Sequence, residues 1–298
     1  MALRVITGIV GIIIAGILIQ LGGAPFAGFA VFLSLVAWHE YSSAFRRAGF
    51  DTAYIFSALT IILILCCAWL GNIEELLAVL TLGALAIFLL TVLLSMRPTE
   101  ACVSVAGVFY IGLPFAHLVM LRFLADEPHP IASLVNFANF VSENTAAVGG
   151  INIFQSLSSL HLDDGCALIW VLFTCTWASD TFAYFIGTAI GSHRMAPTIS
   201  PNKTVEGIIG SLIGTTLTAV VIGCFLFGFP LTQMAAAGVL IAVVATLGDL
   251  VESAIKRFTG VKDSGILIPG HGGVLDRFDS ILYTAPVFYY FIVVSKIV

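Results

Sequence analysis

Charged residues are scarce in this chain of 298 residues: they make up 10% of the sequence, against about 25% in soluble globular domains. Hydrophobic residues account for 59%, and the mean hydropathy is +1.08. This deficit of charge argues against a soluble protein and places the chain among integral membrane proteins. The net charge is −5, so the sequence also lacks the overall basic character that would favour nucleic acid as a partner.

The sequence also shows no zinc-like cysteine spacing, cleavable signal peptide, fixed repeat or soluble domain. The six cysteines lie in or beside apolar runs without zinc-like spacing, so we interpret them as small apolar residues. We expect no cleavable signal peptide, because the first apolar run lacks a small-residue cleavage site and a second run follows at once. No repeat of fixed period and no soluble domain are visible. We therefore predict one integral membrane domain over 1–298, with N-terminal helices and an extracytoplasmic loop in 1–165 and further helices with cytoplasmic loops in 166–298.

Long apolar runs dominate what is present. A membrane-spanning helix needs about 20 mainly apolar residues, and nine segments approach this length. The sequence therefore predicts an all-α, polytopic membrane protein with about nine spans, at 5–22, 25–45, 53–70, 74–95, 102–124, 167–190, 206–228, 233–256 and 281–298. Closely spaced glycines such as Gly207 and Gly210 favour tight helix packing.

Lys and Arg in the short loops predict the orientation. With the N-terminus in the cytoplasm, ten of the twelve Lys and Arg residues fall on the cytoplasmic side, and only Arg122 and Lys296 do not. The segment 125–165 contains five acids and no Lys or Arg, as an exported loop should. It is long enough for a short interfacial helix near 131–141. We expect a multi-pass protein, of a bacterial inner membrane, with its polar cavity at the cytoplasmic face.

The most polar stretch, 247–280, lies between apolar runs. Asp249, Glu252 and Lys256 share one helix face by their spacing, and Asp276 and Asp279 are spaced in the same way just before the ninth span. Carboxylates without His or Cys favour a hard cation such as Mg²⁺. The alternative is that these acids only form ion pairs with the neighbouring basic residues.

Two further polar segments could bind anions. Glycines in 269–273, which flank His271, would allow backbone N–H groups to approach a phosphate, although a plain turn fits equally well. In 200–204, Ser200 or Asn202 could cap the seventh helix, with Lys203 and Thr204 beside its N-terminus. A capped helix start without a ligand is the alternative.

Asp180 lies inside the sixth span, ten residues from its predicted cytoplasmic end, or about 15 Å deep at about 1.5 Å per residue. An acid at that depth is by default functional or paired. Glu40, His39 and His117 are isolated in the sequence, and we interpret them as structural groups.

The spacing of residues within 253–279 closely resembles the signature of the phosphatidate cytidylyltransferase family, also called CDP-diacylglycerol synthases. The matching positions are Ser253, Lys256, Arg257, Lys262, Asp263, Pro269, Gly270, His271, Gly272, Gly273, Asp276, Arg277 and Asp279. The segment 200–204 and Asp180 resemble upstream elements of that family. The first 165 residues match only as successive apolar spans.

This resemblance implies transfer of CMP from CTP to phosphatidate, with pyrophosphate as the second product. It implies a Mg²⁺ site on Asp249 and Asp276, with Asp180 and Asp279 as further candidates, and K⁺ beside it. It also implies a homodimer. We assign Asp249, Asp276 and Lys203 to catalysis, and expect the substrates to bind Ser200, Asn202, Lys203, Thr204, Lys256, Arg257, Lys262, Asp263, His271, Gly272, Gly273 and Arg277.

Charge explains why such a site suits this reaction. The phosphate of phosphatidate and the triphosphate of CTP are both anions, so the basic residues must neutralise and orient them. A phosphate monoester is already a good nucleophile, so no strong base is required. Two alternatives stay open: a nucleotide-dependent lipid-alcohol kinase acting on polyprenols, and, in another class, a secondary transporter with Asp180 and Asp249 as ion ligands.

Overall fold

The computed structural model describes residues 2–124, 163–265 and 272–297. Across these ranges the chain forms nine helices and one short hairpin. The helices are α1 (Ala2–Leu21), α2 (Gly23–Arg47), α3 (Tyr54–Leu70), α4 (Ile73–Leu93), α5 (Pro98–Arg122), α6 (Asp164–Ile190), α7 (Val205–Leu226), α8 (Leu231–Thr259) and α9 (Leu275–Ser295). A π-helical turn interrupts α5 at Val108–Gly112, and another ends α7 at Val220–Leu226.

Six of these helices, α4 to α9, are long and apolar enough to cross a membrane. They support the predicted all-α, polytopic membrane class. Shorter apolar helical stretches occur at Val10–Leu21 and Tyr54–Leu70. The count of nine spans and the orientation stay predictions.

A two-stranded antiparallel hairpin departs from the predicted loop between the sixth and seventh helices. Strand β1 (Arg194–Ala196) pairs with β2 (Ser200–Thr204). The expectation that Ser200 or Asn202 caps the next helix is therefore wrong, because the helix begins at Val205 and both residues lie too far before it. Thr204 is the cap instead, and its hydroxyl accepts a hydrogen bond from the backbone N–H of Gly207 at 3.2 Å.

Close packing of α6 against α7 depends on glycine, as predicted. A Cβ added to Gly207 would lie 2.9 Å from the carbonyl oxygen of Ala183, and one added to Gly210 would lie 2.5 Å from Ile186. Real Cβ atoms do not approach other atoms so closely, so these glycines allow the two backbones to meet. This contact places the hairpin, which joins α6 to α7, beside the ends of both helices.

The last helix begins earlier than the hydropathy of the sequence predicted. Helix α9 starts at Leu275 rather than near 281, so Asp276 and Asp279 lie in its first turns instead of before it. Helix α8 ends at Gly260, whose φ of 69° is in the left-handed region that favours glycine. The predicted interfacial helix at 131–141 and His271 lie outside the described residues.

Candidate active site

One face of α8 carries the first half of the site. Asp249, Glu252 and Lys256 lie along it, as their spacing predicted. The Nζ atom of Lys256 lies 2.6 Å from Oε2 of Glu252. Glu252 is only 3% exposed, and neither of its oxygens has a well-aligned hydrogen-bond partner among the described residues. A buried carboxylate with incomplete hydrogen bonding requires nearby positive charge.

The first turns of α9 carry the second half. Asp276 accepts hydrogen bonds from the backbone N–H groups of Gly273 at 2.8 Å and Ser264 at 2.9 Å. Its Oδ1 also lies 3.0 Å from Nζ of Lys256, so Asp276 and Glu252 share that ammonium group. Asp276 thus ties the segment before α9 to the face of α8. In this structure Asp276 and Glu252 form ion pairs with Lys256, and Asp276 as a metal ligand stays a prediction.

Three carboxylates converge next to this pair. Asp249, Glu252 and Asp279 each offer an oxygen atom, and these atoms lie within 4.8 Å of one another. The convergence depends on Gly248, because a Cβ there would lie 2.8 Å from the carbonyl oxygen of Asp279. The structure therefore brings together acids from α8 and α9. We call Asp249, Glu252 and Asp279 the carboxylate cluster.

The hairpin supplies a cation to this cluster. Lys203 on β2 places its Nζ 2.7 Å from Oδ2 of Asp249 and donates a hydrogen bond to the carbonyl oxygen of Thr246 at 3.2 Å. Asp180 on α6 interacts electrostatically with Asp249 and Lys203, and also with Asp279. Residues from four elements, α6, β2, α8 and α9, thus meet at one place.

The other predicted residues differ in exposure and in their contacts. Arg257 is exposed and donates to the carbonyl oxygen of Ile199 at 3.3 Å. Asn202, Lys262 and Asp263 are exposed, whereas Ser200 is half-buried. Arg277 is exposed and interacts electrostatically with Asp180.

The two described glycines of the 269–273 segment contact Asp276. Gly272 has a φ of 87°, and a Cβ on it would lie 2.7 Å from Oδ2 of Asp276. The same oxygen accepts the hydrogen bond from the N–H of Gly273. In this structure the backbone of these glycines approaches a carboxylate of the chain itself.

The structure gives two acids contacts that the sequence does not predict. The spacing of Glu252 places it on one face of α8 with Asp249, and this is the signal that could identify Glu252 as a candidate ligand. Glu40 was interpreted as isolated, yet it accepts backbone hydrogen bonds from Val274 at 3.0 Å and Leu275 at 2.9 Å. No local pattern could reveal that contact, because the partners are far apart in the chain.

The carboxylate cluster fits a hard divalent cation. Its donors are carboxylate oxygens, which Mg²⁺ prefers, and Oε1 of Glu252 is buried without a hydrogen-bond partner among the described residues, whereas Oε2 contacts Lys256. Asp276 is less available, since Lys256 and two backbone N–H groups already occupy its oxygens.

Comparison with known proteins covers almost the whole chain. The sequence profile of the cytidylyltransferase family matches residues 2–295. The chain belongs to the cytidylyltransferase family. It is 34% identical over 294 residues to a phosphatidate cytidylyltransferase of Synechocystis sp., covering 97% of this chain and 96% of the relative. It is 31% identical over 295 residues to the enzyme of that name from Staphylococcus haemolyticus, covering 96% of each.

A third relative matches over a shorter part of the chain. The phosphatidate cytidylyltransferase of Thermotoga maritima is 41% identical over 141 residues, which cover 44% of this chain and 50% of the relative. Membership of the cytidylyltransferase family agrees with a nucleotidyltransferase whose polar site is built among membrane helices.

Proposed function

We propose that this chain is a phosphatidate cytidylyltransferase of phospholipid biosynthesis. Similarity to enzymes of that name along nearly the full chain is the observation that carries the proposal. In the reaction, a phosphate oxygen of phosphatidate attacks the α-phosphorus of CTP. The bond from that phosphorus to the bridging oxygen of the β-phosphate breaks, which gives CDP-diacylglycerol and pyrophosphate.

The chain's own residues match the charge requirements of this transfer. Lys203, Lys256, Arg257 and Arg277 supply positive charge around a group of acids, which suits two anionic substrates. Lys203 contacts Asp249, and a metal ion bound to Asp249 would compete with Lys203 for that carboxylate. We propose that Lys203 turns from Asp249 to a substrate phosphate when the acid binds metal. No side chain is needed as a strong base, because the attacking phosphate is already ionised.

We propose Mg²⁺ as the cofactor, held by Asp249, Asp279 and Glu252. When bound, Mg²⁺ would neutralise triphosphate oxygens and offset the charge that develops on the leaving pyrophosphate. Asp276 stays a predicted ligand from the family resemblance, and its present bonds favour a role in shaping the segment before α9. K⁺ and a homodimer are proposals that rest on the resemblance alone.

We further propose that the site faces the cytoplasm, because the distribution of Lys and Arg predicts that side for the hairpin and for the segment between α8 and α9. CTP would reach the site from solution, while phosphatidate would present its phosphate at the interface with its acyl chains in lipid. The inner membrane of a bacterium is a suitable location, given the bacterial relatives.

A labelling experiment tests the function. The purified chain, reconstituted with phosphatidate and Mg²⁺, is given CTP labelled in its α-phosphate. We expect the label in the lipid fraction, with one pyrophosphate released for each labelled lipid. With a polyprenol supplied in place of phosphatidate, label that remains in free CDP would instead support a lipid kinase. Solute uptake by proteoliposomes without CTP turnover would support a transporter.

A further inference from the structure

Glu40 on α2 occupies a buried position against the segment that precedes α9. Its side chain accepts the backbone N–H of Val274 with Oε1 and that of Leu275 with Oε2. The hydroxyl of Ser264 lies 3.4 Å from Oε2. Glu40 is 4% exposed, so these contacts are shielded from water. One carboxylate from the N-terminal half therefore contacts Ser264, which follows α8, and Val274 and Leu275, where α9 begins.

Two glycines leave room for this carboxylate. A Cβ on Gly273 would lie 2.5 Å from Oε2 of Glu40, and a Cβ on Gly265 would overlap Oε1. Any larger residue at these positions would displace Glu40 or the backbone. The backbone around residues 265 and 273 is thus fitted closely to a side chain that comes from another helix.

Glu40 also completes the N-terminus of α9. The residue at the cap position, Val274, has no side chain that can accept a hydrogen bond from the first turn. The N–H groups at a helix start need acceptors, and negative charge is favourable there. Glu40 provides the acceptors and the negative charge, although it is distant in sequence, whereas a capping residue usually belongs to the same segment as the helix start.

The same short segment positions the acids of the site. Asp276 accepts N–H groups from Ser264 and Gly273, the residues that lie beside Glu40. Asp279 belongs to the carboxylate cluster one turn further along α9. A change in the position of the α9 N-terminus would therefore move both acids relative to α8.

We infer that Glu40 is a positioning residue for the CMP transfer, because it holds residues 264 and 265 and residues 273–275 at the start of α9 so that Asp276 and Asp279 face the acids of α8. The inference rests on the proposed function for its effect on rate. It does not depend on that function for the structural link between α2 and α9.

Glu40→Gln tests the inference, and Glu100→Gln is its matched control. Glu100 is also a buried acid that accepts backbone N–H groups at a helix start, but its partners are Arg97 and Asp51. Amide hydrogen exchange is measured by mass spectrometry on each full-length protein. We expect at least about tenfold faster exchange in peptides covering 273–279 for Glu40→Gln, with no change there for Glu100→Gln.

Kinetics supply the second measurement. We expect Glu40→Gln to lower kcat and to raise the Mg²⁺ concentration for half-maximal rate by about 10- to 100-fold, as loss of a residue supporting metal ligands does. Glu100→Gln should change neither by more than about twofold, consistent with a substitution away from the site. Glu40→Asp, which keeps the charge on a shorter side chain, should recover part of the exchange protection and of the rate.

The outcomes separate the two proposals. Absence of CMP transfer by the wild-type protein would reject the proposed function, and the exchange experiment would still test the link from Glu40 to α9. Exchange at 273–279 in Glu40→Gln that matches the wild type would overturn the positioning role. So would kinetic losses equal to those of Glu100→Gln.

Discussion

Asp249 contacts the ammonium group of Lys203 and is also a proposed ligand of a divalent cation. Its Oδ2 contacts Lys203 of the hairpin at 2.7 Å, while its position in the carboxylate cluster suits a divalent cation. A lysine beside a metal ligand repels the metal, yet it offers a phosphate-binding group as soon as the acid is occupied. We propose that this contact would couple metal binding at Asp249 to the release of Lys203 for a substrate phosphate.

Lys203→Ala separates the effect of Lys203 on metal binding from its effect on substrate binding. We expect kcat/KM for CTP to fall at least about tenfold, since a charged hydrogen-bond partner of the substrate is lost. The Mg²⁺ concentration for half-maximal rate should stay the same or fall, because a competing cation is removed. Steady-state rates at varied CTP and Mg²⁺ provide the test, with Lys296→Ala at the other end of α9 as control. Unchanged kinetics for both CTP and phosphatidate would show that Lys203 is only a structural residue of the hairpin.

Single residues differ in how far the sequence could reveal them. Asp249 and Glu252 share a helix face because of their spacing, so their proximity could be predicted. The contact of Glu40 with α9 could not, because it depends on how α2 packs against the C-terminal half. The partners of Asp276 were also hidden, since they are backbone groups whose positions depend on the fold.

At the scale of elements, the crossing of α8 and α9 decides whether the acids meet. Gly248 lies at that crossing, where a Cβ would lie 2.8 Å from the carbonyl oxygen of Asp279 and 3.2 Å from Cα of Ser280. Neither neighbour is a flexible side chain that could move aside. The helices must separate if residue 248 gains a side chain.

Gly248→Ala is therefore expected to reduce the rate at least about tenfold, because a small displacement of positioned groups is costly in catalysis. It should also lower the thermal unfolding temperature. Gly28→Ala in α2 is the control, since a Cβ there meets nothing within 4 Å. That control should be neutral or stabilise by up to about 1 kcal/mol through helix propensity. Equal activity in the two variants would contradict the role of Gly248.

The elements themselves were predictable to different degrees. Long apolar runs revealed the helices, because a membrane span requires them. The start of α9 was placed too late, since its first turns carry Asp276 and Asp279 and hydropathy falls there. The β1–β2 hairpin was missed because its polar, Pro-containing sequence resembles a loop, and its short pairing depends on the helices that anchor both ends.

At the scale of the whole molecule, contacts join the two parts of the chain. The ring of Phe45 in α2 packs at a tilt against that of Phe258 in α8, with centroids 5.9 Å apart, and the centroids of Tyr110 in α5 and Tyr283 in α9 lie 6.2 Å apart. Together with Glu40, these contacts make the first helices part of the support for the site. The uneven distribution of Lys and Arg then predicts which side of the membrane this site faces.

Cysteine labelling tests that orientation. Thr198 is exposed in the hairpin turn, and Thr232 is exposed near the start of α8, at the opposite end of that helix from the site. We expect a membrane-impermeant maleimide to label Thr198→Cys only from the cytoplasmic side and Thr232→Cys only from the other. The unsubstituted protein measures labelling of native cysteines. The reverse pattern in sealed vesicles would contradict the predicted orientation.

The proposed reaction requires acids from α8 and α9 to hold a divalent cation together. Electron paramagnetic resonance of Mn²⁺, titrated into the wild-type protein and into Asp249→Asn and Asp279→Asn, tests it without requiring turnover. Glu206→Gln, which changes an acid paired with His193 beside the hairpin, is the control. We predict a Mn²⁺ site that Mg²⁺ displaces, at least about tenfold weaker in both aspartate variants and unchanged in the control. Wild-type affinity in both aspartate variants would contradict the claim.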